Sequence, residues 1–136
     1  MEEPNPKLNE LYAQLQGLDG HVKELQQRIQ IVEKQMEDLA GTREALSDLE
    51  KVKAGSEIIV PVANGIFAKA SIGDVGTLLV NVGGSVTVPK PISEIVKIIE
   101  TQAKEIEEGH GHLQEQLKAL FERATELNEE ISTLIT

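Results

Sequence analysis

A heptad repeat runs through the first third and the last third of the chain and constrains its fold more than any other feature. From Leu8 to Leu46 apolar residues recur alternately three and four positions apart, and Arg43 is the first position at which the series fails. Five or six heptads of this spacing predict a long helix that packs along one seam, as in a coiled coil. The seam contains Leu8, Leu15, Val22, Ile29 and Met36 at one position and Leu11, Leu18, Leu25, Val32, Leu39 and Leu46 at the other.

A second series with the same period follows Pro89 and Pro91, and only His110 interrupts it. Because the two helices are similar in length and are joined by a compact insert, we expect them to fold back on each other antiparallel. This arrangement brings the N-terminal end of the first helix against the C-terminal end of the second. The second seam contains Ile92, Ile99, Ile106, Leu113, Leu120, Leu127 and Leu134 at one position and Val96, Ala103, Leu117, Ala124 and Ile131 at the other.

Local signals place the ends of the first helix. Asn5 is a suitable N-cap with Pro6 at the first helical position, and Gly55 is a suitable stop. We interpret the chain as one domain, residues 1–136, with an N-terminal helix over 5–54, a β insert over 56–89 and a C-terminal helix over 91–135.

The insert carries two β-hairpin signals. Asn64-Gly65, set between apolar runs, is a strong two-residue turn signature. Gly83-Gly84-Ser85 marks the second turn, and the hydrophobic register favours a three-residue loop there, because a two-residue loop would mix apolar and polar residues on each face. With three residues in the loop, one face carries Leu78, Val80, Val82, Val86 and Val88. Pro61 cannot donate a ladder hydrogen bond, so it suits an edge or a bulge.

Four short strands are marginal on their own, because one apolar face stays uncovered and both edges stay open to other chains. We therefore interpret the insert as an assembly module that completes a sheet or a closed barrel with copies from neighbouring subunits, since closure removes the edges. The predicted fold is mainly α. It is a long antiparallel two-helix coiled-coil hairpin with a four-stranded β insert, made of two β-hairpins, that joins an intersubunit β-barrel.

Composition narrows the classes of function. Aromatic residues make up only 2% of the chain, which disfavours a large globular core because aromatic side chains usually dominate core burial. The net charge of −10 argues against nucleic acid as a partner, since phosphate binding needs clustered Lys and Arg. The chain lacks cysteine, an apolar run long enough for a membrane helix, and a secretory signal in MEEPNPKLNE. We expect a cytoplasmic protein that does not enter membranes.

No motif in the chain predicts catalysis, a cofactor or a metal ion. His110 and His112 lie two residues apart, so a helix points them to different faces. The Gly83-Gly84-Ser85 stretch lacks the lysine and the following helix of a phosphate-binding loop. We therefore expect no enzyme activity. Gly109 and Gly111 lower the helix propensity beside His110, which predicts a soft point in the second helix.

Three segments of the insert, set between the two heptad helices, carry a family resemblance. They are Ile59-Val60-Pro61-Val62, Asn64-Gly65-Ile66-Phe67-Ala68-Lys69 and Leu79-Val80-Asn81-Val82-Gly83-Gly84-Ser85-Val86. In this order the chain resembles prefoldin, in particular its archaeal alpha-type subunits, over nearly its whole length. Two hairpins match the alpha type, whereas the beta type carries one. The stretch EEGHGHLQEQ and the proline pair around Lys90 depart from the family pattern.

The resemblance implies a chaperone subunit that acts as an ATP-independent holdase and needs no cofactor. It implies a hexamer of two alpha-type and four beta-type subunits with a double β-barrel body. The coiled-coil tips of such a hexamer bind non-native polypeptides and deliver them to a group II chaperonin. The residues expected in the assembly contact are Ile58, Val60, Val62, Ile66, Phe67, Leu78, Val80, Val82, Val86 and Val88.

Substrate-binding residues are assigned by their position at the coiled-coil tip. The last apolar residues of a seam lose neighbours on one side, and Tyr12 and Ile135 lie beside the seam, where they can stay partly exposed. The expected set is Leu8, Leu11, Tyr12, Leu15, Leu127, Ile131, Leu134 and Ile135. The alternative function is a structural coiled-coil scaffold that oligomerises through the β insert and tethers specific partners. Suppression of aggregation without nucleotide distinguishes the two.

Overall fold

Two long helices flank two β-hairpins in the computed structural model, as predicted. The structure describes residues 5–135, so the start of the MEEPNPKLNE segment, considered above for a secretory signal, lies outside the described residues. The elements are α1 (Pro6–Glu50), β1 (Glu57–Ala63), β2 (Ile66–Ser71), β3 (Thr77–Gly83), β4 (Val86–Pro91) and α2 (Ile92–Ile135). The chain divides into two compact units, which we call the helical unit (residues 5–36 and 105–135) and the hairpin unit (residues 37–104).

The start of α1 is capped by Asn5, as predicted. Its Oδ1 atom accepts hydrogen bonds from the backbone N–H groups of Lys7 at 3.0 Å and Leu8 at 3.3 Å. Its carbonyl oxygen accepts a third from the N–H of Asn9 at 3.1 Å. The two side-chain bonds satisfy donors that the first turn of a helix leaves without an intrahelical partner, and the third is the first regular bond of the helix. Pro6 has no N–H and needs no such partner.

The end of α1 lies at Glu50, before the predicted end at residue 54. The N–H groups of Lys51 and Val52 bond to carbonyls three residues earlier, at 3.2 and 3.1 Å, which tightens the last turn and closes the helix. Gly55 follows with a φ of 89° and donates its N–H to the carbonyl of Ile72 at 2.7 Å. Gly55 therefore belongs to the turn into β1, where its left-handed backbone favours glycine.

In the helical unit the two helices pack antiparallel on an aliphatic seam. Two buried clusters hold this seam together. The first comprises Leu11, Leu127 and Ile131, with Leu8, Leu15 and Leu18 packed against it, and the second comprises Leu25, Ile29 and Leu113, with Val32, Leu117 and Leu120 packed against it. Residues near the start of α1 thus meet residues near the end of α2, as the heptad pattern predicts.

The heptad residues of both helices are buried or half-buried, except Leu134 in the last turn of α2. The two polar breaks in the seams each face an acidic residue of the opposite helix. In the helical unit His110 Nε2 lies 3.1 Å from Glu33 Oε1. In the hairpin unit Arg43 Nη2 lies 3.2 Å from Glu100 Oε1. A polar side chain at a seam position is thus matched across the helices rather than left facing apolar neighbours.

Each hairpin is a separate two-stranded antiparallel sheet in the described part of the chain, with β1 paired to β2 and β3 paired to β4. In the first hairpin Pro61 faces Phe67, and the register shifts before the turn. Asn64-Gly65 forms the predicted two-residue turn, with Gly65 at a φ of 73°. Val62 is the extra residue of a bulge, directly after the proline that suggested one.

The second turn is shorter than predicted. Gly83 faces Val86, so only two residues form the loop. A bulge at Val82 takes up one residue, and Val80 therefore faces Val88 as a three-residue loop would have placed it. The predicted three-residue loop is wrong: it would pair Val82 with Val86, whereas Val82 is the extra residue of the bulge.

The strand β4 runs to Pro91, two residues past the predicted end of the insert, so α2 begins at Ile92. The N–H of Ile92 donates to the carbonyl of Gly76 at 2.9 Å, and the N–H of Gly76 donates to Asp74 Oδ1 at 2.9 Å. The link between the hairpins is thus tied to the start of α2. In the hairpin unit, the buried apolar residues are Leu46 and Ile95.

Candidate interaction surfaces

The strands hold most of their large apolar side chains in solvent. Ile59 is 68% exposed on β1, Phe67 is 63% exposed on β2, and Leu79 is 73% exposed on β3. Each sheet has two strands, so its outer edges also carry backbone groups without a ladder partner. The hairpin unit therefore presents apolar faces together with open edges.

The ten residues predicted for assembly lie on all four strands but not on a single face. Ile58 and Val60 share one face of the first hairpin, and Phe67, which faces Pro61, lies on the other. The remaining residues are Val62 and Ile66 beside the first turn, Val82 and Val86 beside the second turn, and Leu78, Val80 and Val88 on one face of the second hairpin.

Sequence reasoning missed the two most exposed large apolar residues of the strands, Ile59 and Leu79. Ile59 faces Lys69 and Leu79 faces Pro89, so each lies on the face opposite its apolar neighbours in the chain. The signal was present in the sequence, because both residues belong to continuous apolar runs. Such runs predict strands that are covered on both faces rather than on one.

The helical unit ends, near the chain termini, in a closed seam beside exposed apolar residues. Five of the eight predicted substrate residues are packed together there: Leu8, Leu11, Leu15, Leu127 and Ile131. Leu127 has no solvent exposure at all. In contrast, Leu134 is 41% exposed and Ile135 is 61% exposed. The structure therefore places five of these residues in the seam and leaves Tyr12, Leu134 and Ile135 at the surface.

An apolar groove of about 570 Å³ runs beside the same seam. Tyr12 from α1 and Phe121 from α2 both line it, and they are 49% and 48% exposed. The other lining residues are Leu15, Gln16, Leu18, Asp19, Val22 and Ala124. Sequence reasoning missed Phe121. Two signals could have found it: aromatic residues are rare in this chain, and Phe121 follows the seam residue Leu120 as Tyr12 follows Leu11.

His110 and His112 each contact an acidic side chain. His110 bonds to Glu33, and His112 Nδ1 lies 4.0 Å from Glu115 Oε2 at the surface. Among residues 5–135 no group of three or more His, Asp or Glu side chains is placed to hold a metal ion. The glycines on either side of His110 do not interrupt α2, which stays helical from Ile92 to Ile135.

Comparison with known proteins decides the family. Residues 18–136 match the family model of the prefoldin subunit. The chain belongs to the prefoldin family. The matched range includes both hairpins, all of the described part of α2 and α1 from Leu18 onward. It confirms the resemblance drawn from the insert and the heptads. No helix in the described part of this prefoldin chain is long and apolar enough to span a bilayer.

Archaeal relatives named as prefoldin subunit alpha match this prefoldin chain over most of its length. That of Pyrococcus horikoshii is 29% identical over 128 residues, which cover 93% of this chain and 86% of the relative. That of Thermofilum pendens is 26% identical over 131 residues, which cover 96% and 99%. The prefoldin subunit alpha 1 of Thermococcus kodakarensis is 32% identical over 105 residues, which cover 77% and 72%. These matches and the two hairpins identify an alpha-type prefoldin subunit.

Two solved structures share the prefoldin fold of this chain. A filamentous PFD from Methanocaldococcus jannaschii, determined by cryo-EM, superposes with a TM-score of 0.71 at 19% identity, covering 90% of this chain and 98% of that chain. The crystal structure of the prefoldin beta subunit from Thermococcus strain KS-1 superposes with a TM-score of 0.67 at 17% identity, covering 98% and 96%. Family and fold together make this prefoldin chain a chaperone-type subunit.

Proposed function

We propose that this prefoldin subunit is an ATP-independent holdase that captures non-native polypeptides and delivers them to a group II chaperonin. Membership of the prefoldin family supports the proposal, and one structural observation carries it. Leu134 and Ile135 expose large apolar side chains to solvent at the end of the helical unit. The seam of this unit is already closed beside them, because Leu127 is fully buried in it. Apolar side chains that the fold does not bury can contact the exposed apolar segments of an unfolded chain.

The exposed residues at this end bind through the hydrophobic effect. Apolar burial is worth about 25 cal/mol per Å², so covering the exposed half of an Ile or Leu side chain contributes roughly 1 kcal/mol. One subunit is therefore a weak and unselective binder. Several such ends on one assembly bind more tightly, because after the first contact the second becomes intramolecular. When the helix ends fray, the five predicted substrate residues that are packed in the seam become exposed and enlarge the binding surface.

The hairpin unit supplies the assembly contact in this proposal. Its exposed faces and open edges pair with other prefoldin subunits, and β-strand closure between subunits removes the edges. We propose that the partners are beta-type prefoldin subunits and that the assembly is a hexamer of two alpha and four beta subunits, as the family resemblance implies. The similarity to a prefoldin beta subunit in fold supports a shared architecture for this contact.

The proposed role is non-enzymatic. Binding by apolar contact needs neither a cofactor nor a nucleotide, and the acidic surface of the chain, with a net charge of −10, disfavours binding to nucleic acid. We propose a cytoplasmic protein that works on polypeptides rather than on membranes.

Light scattering of a denatured client protein tests the holdase role. The client is diluted into buffer, without nucleotide, in the presence or absence of the assembled complex of this subunit with beta-type subunits. We expect suppression of aggregation, and we expect Leu134→Ser combined with Ile135→Ser to weaken it. Ile31→Ser is the matched control, because Ile31 is exposed to the same extent as Ile135 but lies away from this end of the unit. A wild-type complex that does not suppress aggregation would favour the scaffold alternative.

Sedimentation measurements test the assembly role. We expect Leu79→Glu to dissociate the complex, because it places a charge on the most exposed apolar residue of the strands. Ile31→Glu is the control, since it adds the same charge to an exposed site of the helical unit. A complex that keeps its mass with both Leu79→Glu and Phe67→Glu contradicts assembly through the hairpins.

A further inference from the structure

Three exposed apolar side chains of the helical unit lie on one flank of its seam. Each lies one position after a seam residue: Tyr12 follows Leu11 in α1, and Phe121 and Ile135 follow Leu120 and Leu134 in α2. These seam residues occupy equivalent heptad positions in the two helices. In an antiparallel pair of helices, residues at this position come together along one side of the seam. Tyr12 and Phe121 accordingly line the same groove. We call this side, defined by Tyr12, Asp19, Phe121 and Ile135, the aromatic flank.

The groove on the aromatic flank is of ligand size. Its volume of about 570 Å³ lies within the range of ~300–1,000 Å³ that is common for binding pockets. Leu15, Leu18 and Val22 give it apolar walls. Aromatic side chains usually dominate a core, yet this chain holds both aromatic residues of the helical unit half in solvent at this groove. The fold does not use them fully for its own packing, so they are placed for contact with another molecule.

The charge of the aromatic flank is acidic. Asp19, Glu33 and Glu107 occupy the same heptad position as the two aromatic residues, whereas Arg28 and Arg123 lie on the opposite flank. Residues 5–36 include four acidic and four basic residues, and residues 105–135 include eight acidic and two basic ones, so the described helical unit carries a charge of −6. A surface of this kind complements a positively charged ligand.

Asp19 is the charged residue that lines the groove itself. It pairs with Lys23 on its own helix at 3.3 Å, and both side chains are more than half exposed. An exposed pair of this kind contributes little to stability. A lysine or arginine of a bound segment can therefore take the place of Lys23 at little cost.

The exposed area of the aromatic flank suits a short segment rather than a folded partner. An aromatic side chain offers ~150–250 Å², so the exposed parts of two aromatic residues and Ile135 provide roughly 300 Å². A stable dimer buries about 800 Å² on each partner. We propose that the aromatic flank docks short apolar segments of non-native polypeptides that carry lysine or arginine, and that it selects them over acidic segments. This inference rests on the proposed holdase function and names the class of segment that it takes.

Peptide binding to the assembled complex tests the inference. The probes are two fluorescein-labelled unstructured peptides with the same Leu-Phe-Leu core, one flanked by lysines and the other by glutamates. Fluorescence anisotropy at low salt is expected to show at least about fivefold tighter binding of the lysine peptide, and ~0.5 M salt is expected to reduce this preference by screening. Phe121→Ala combined with Tyr12→Ala is expected to lower affinity for the lysine peptide at least about fivefold, as for truncation of an aromatic anchor.

Two further variants separate the contributions of charge and apolar contact. Asp19→Asn is expected to reduce the preference for the lysine peptide while the glutamate peptide binds no more weakly. Ile31→Ala is the control for loss of an exposed apolar residue off the flank, and it is expected to leave both affinities unchanged. Circular dichroism and sedimentation check that each variant still folds and assembles. Equal binding of the two peptides at low salt, or unchanged binding by the double variant, overturns the inference.

The failure of this inference is distinguishable from the failure of the proposed function. If the wild-type complex suppresses aggregation but the Tyr12 and Phe121 variant binds the lysine peptide normally, the flank is not the docking site and the holdase function stands. If the wild-type complex neither suppresses aggregation nor binds either peptide, both proposals fail together.

Discussion

The glycines beside His110 give a quantitative prediction about the stability of α2. Gly109 and Gly111 lie inside a continuous helix, and a Cβ atom on either would meet nothing within 4 Å apart from its chain neighbours and the backbone of its own helix. We expect Gly109→Ala combined with Gly111→Ala to stabilise the helical unit. Alanine is better than glycine by about 0.8–1.0 kcal/mol in a helix interior, and the open space means that no clash offsets this gain. The two substitutions together contribute roughly 2 kcal/mol.

Amide hydrogen exchange measures this gain where it acts. We expect residues 107–113 of the wild-type protein to exchange faster than the adjoining turns of α2, because two glycines weaken this segment. The two alanines raise the free energy of local unfolding of this segment by roughly 2 kcal/mol. Exchange there is then about 30-fold slower, since 1.4 kcal/mol corresponds to a factor of ten.

Two controls make the result specific. Gly17→Ala combined with Gly20→Ala also enters open space, but in α1, and is expected to slow exchange around those residues. Gly65→Ala is expected to destabilise its hairpin by roughly 1 kcal/mol, because a φ of 73° is unfavourable for alanine. Unchanged exchange at residues 107–113 in the first variant would refute the reasoning, as would an equal slowing there by the pair in α1.

Four other substitutions, three in α2 and one at the cap of α1, have expected outcomes that chemical denaturation can check. His110→Leu is expected to raise the free energy of unfolding by about 1 kcal/mol, because leucine completes the seam and the lost contact with Glu33 is worth less than ~1 kcal/mol. A destabilised variant would show that the polar contact matters more than the apolar seam. Leu127→Ala is expected to cost ~2–5 kcal/mol because its side chain is fully buried, whereas Leu134→Ala costs less than ~1 kcal/mol; equal costs would contradict the burial argument. Asn5→Ala is expected to cost about 1 kcal/mol through loss of two cap hydrogen bonds, and an unaffected stability would mean that water replaces them.

The helices and their contacts could be predicted from the sequence because a single period governs them. Alternation of three and four residues fixed which side chains enter the seam, and the structure confirms burial at nearly every position. The cap at Asn5 and the turn at Asn64-Gly65 were predictable for a similar reason, since each depends on residues within one turn of chain. The family followed from the order of these elements.

Some features could not be predicted because two different local structures fit the same hydrophobic pattern. A three-residue loop and a two-residue loop preceded by a bulge both place Val80 opposite Val88, so the hydrophobic pattern does not distinguish them. The end of α1 was predicted at the wrong residue because residues 51–54 include no apolar residue in the heptad pattern, so the pattern does not tell whether they are helical. Phe121 was missed for a different reason: the substrate residues of the second helix were sought only from Leu127 onward, although the rarity of aromatic residues and the position of Phe121 after Leu120 were signals in the sequence.

The bulges at Val62 and Val82 have a consequence for how the hairpins meet other chains. A bulge strengthens the local right-handed twist of a strand, and three of the five prolines of the chain, Pro61, Pro89 and Pro91, interrupt the strands with residues that have no N–H to offer. Flat, uninterrupted strands stack indefinitely into fibrils. The bulges and prolines instead leave these strands more twisted and leave gaps in their row of N–H donors, which disfavours stacking of identical strands in register.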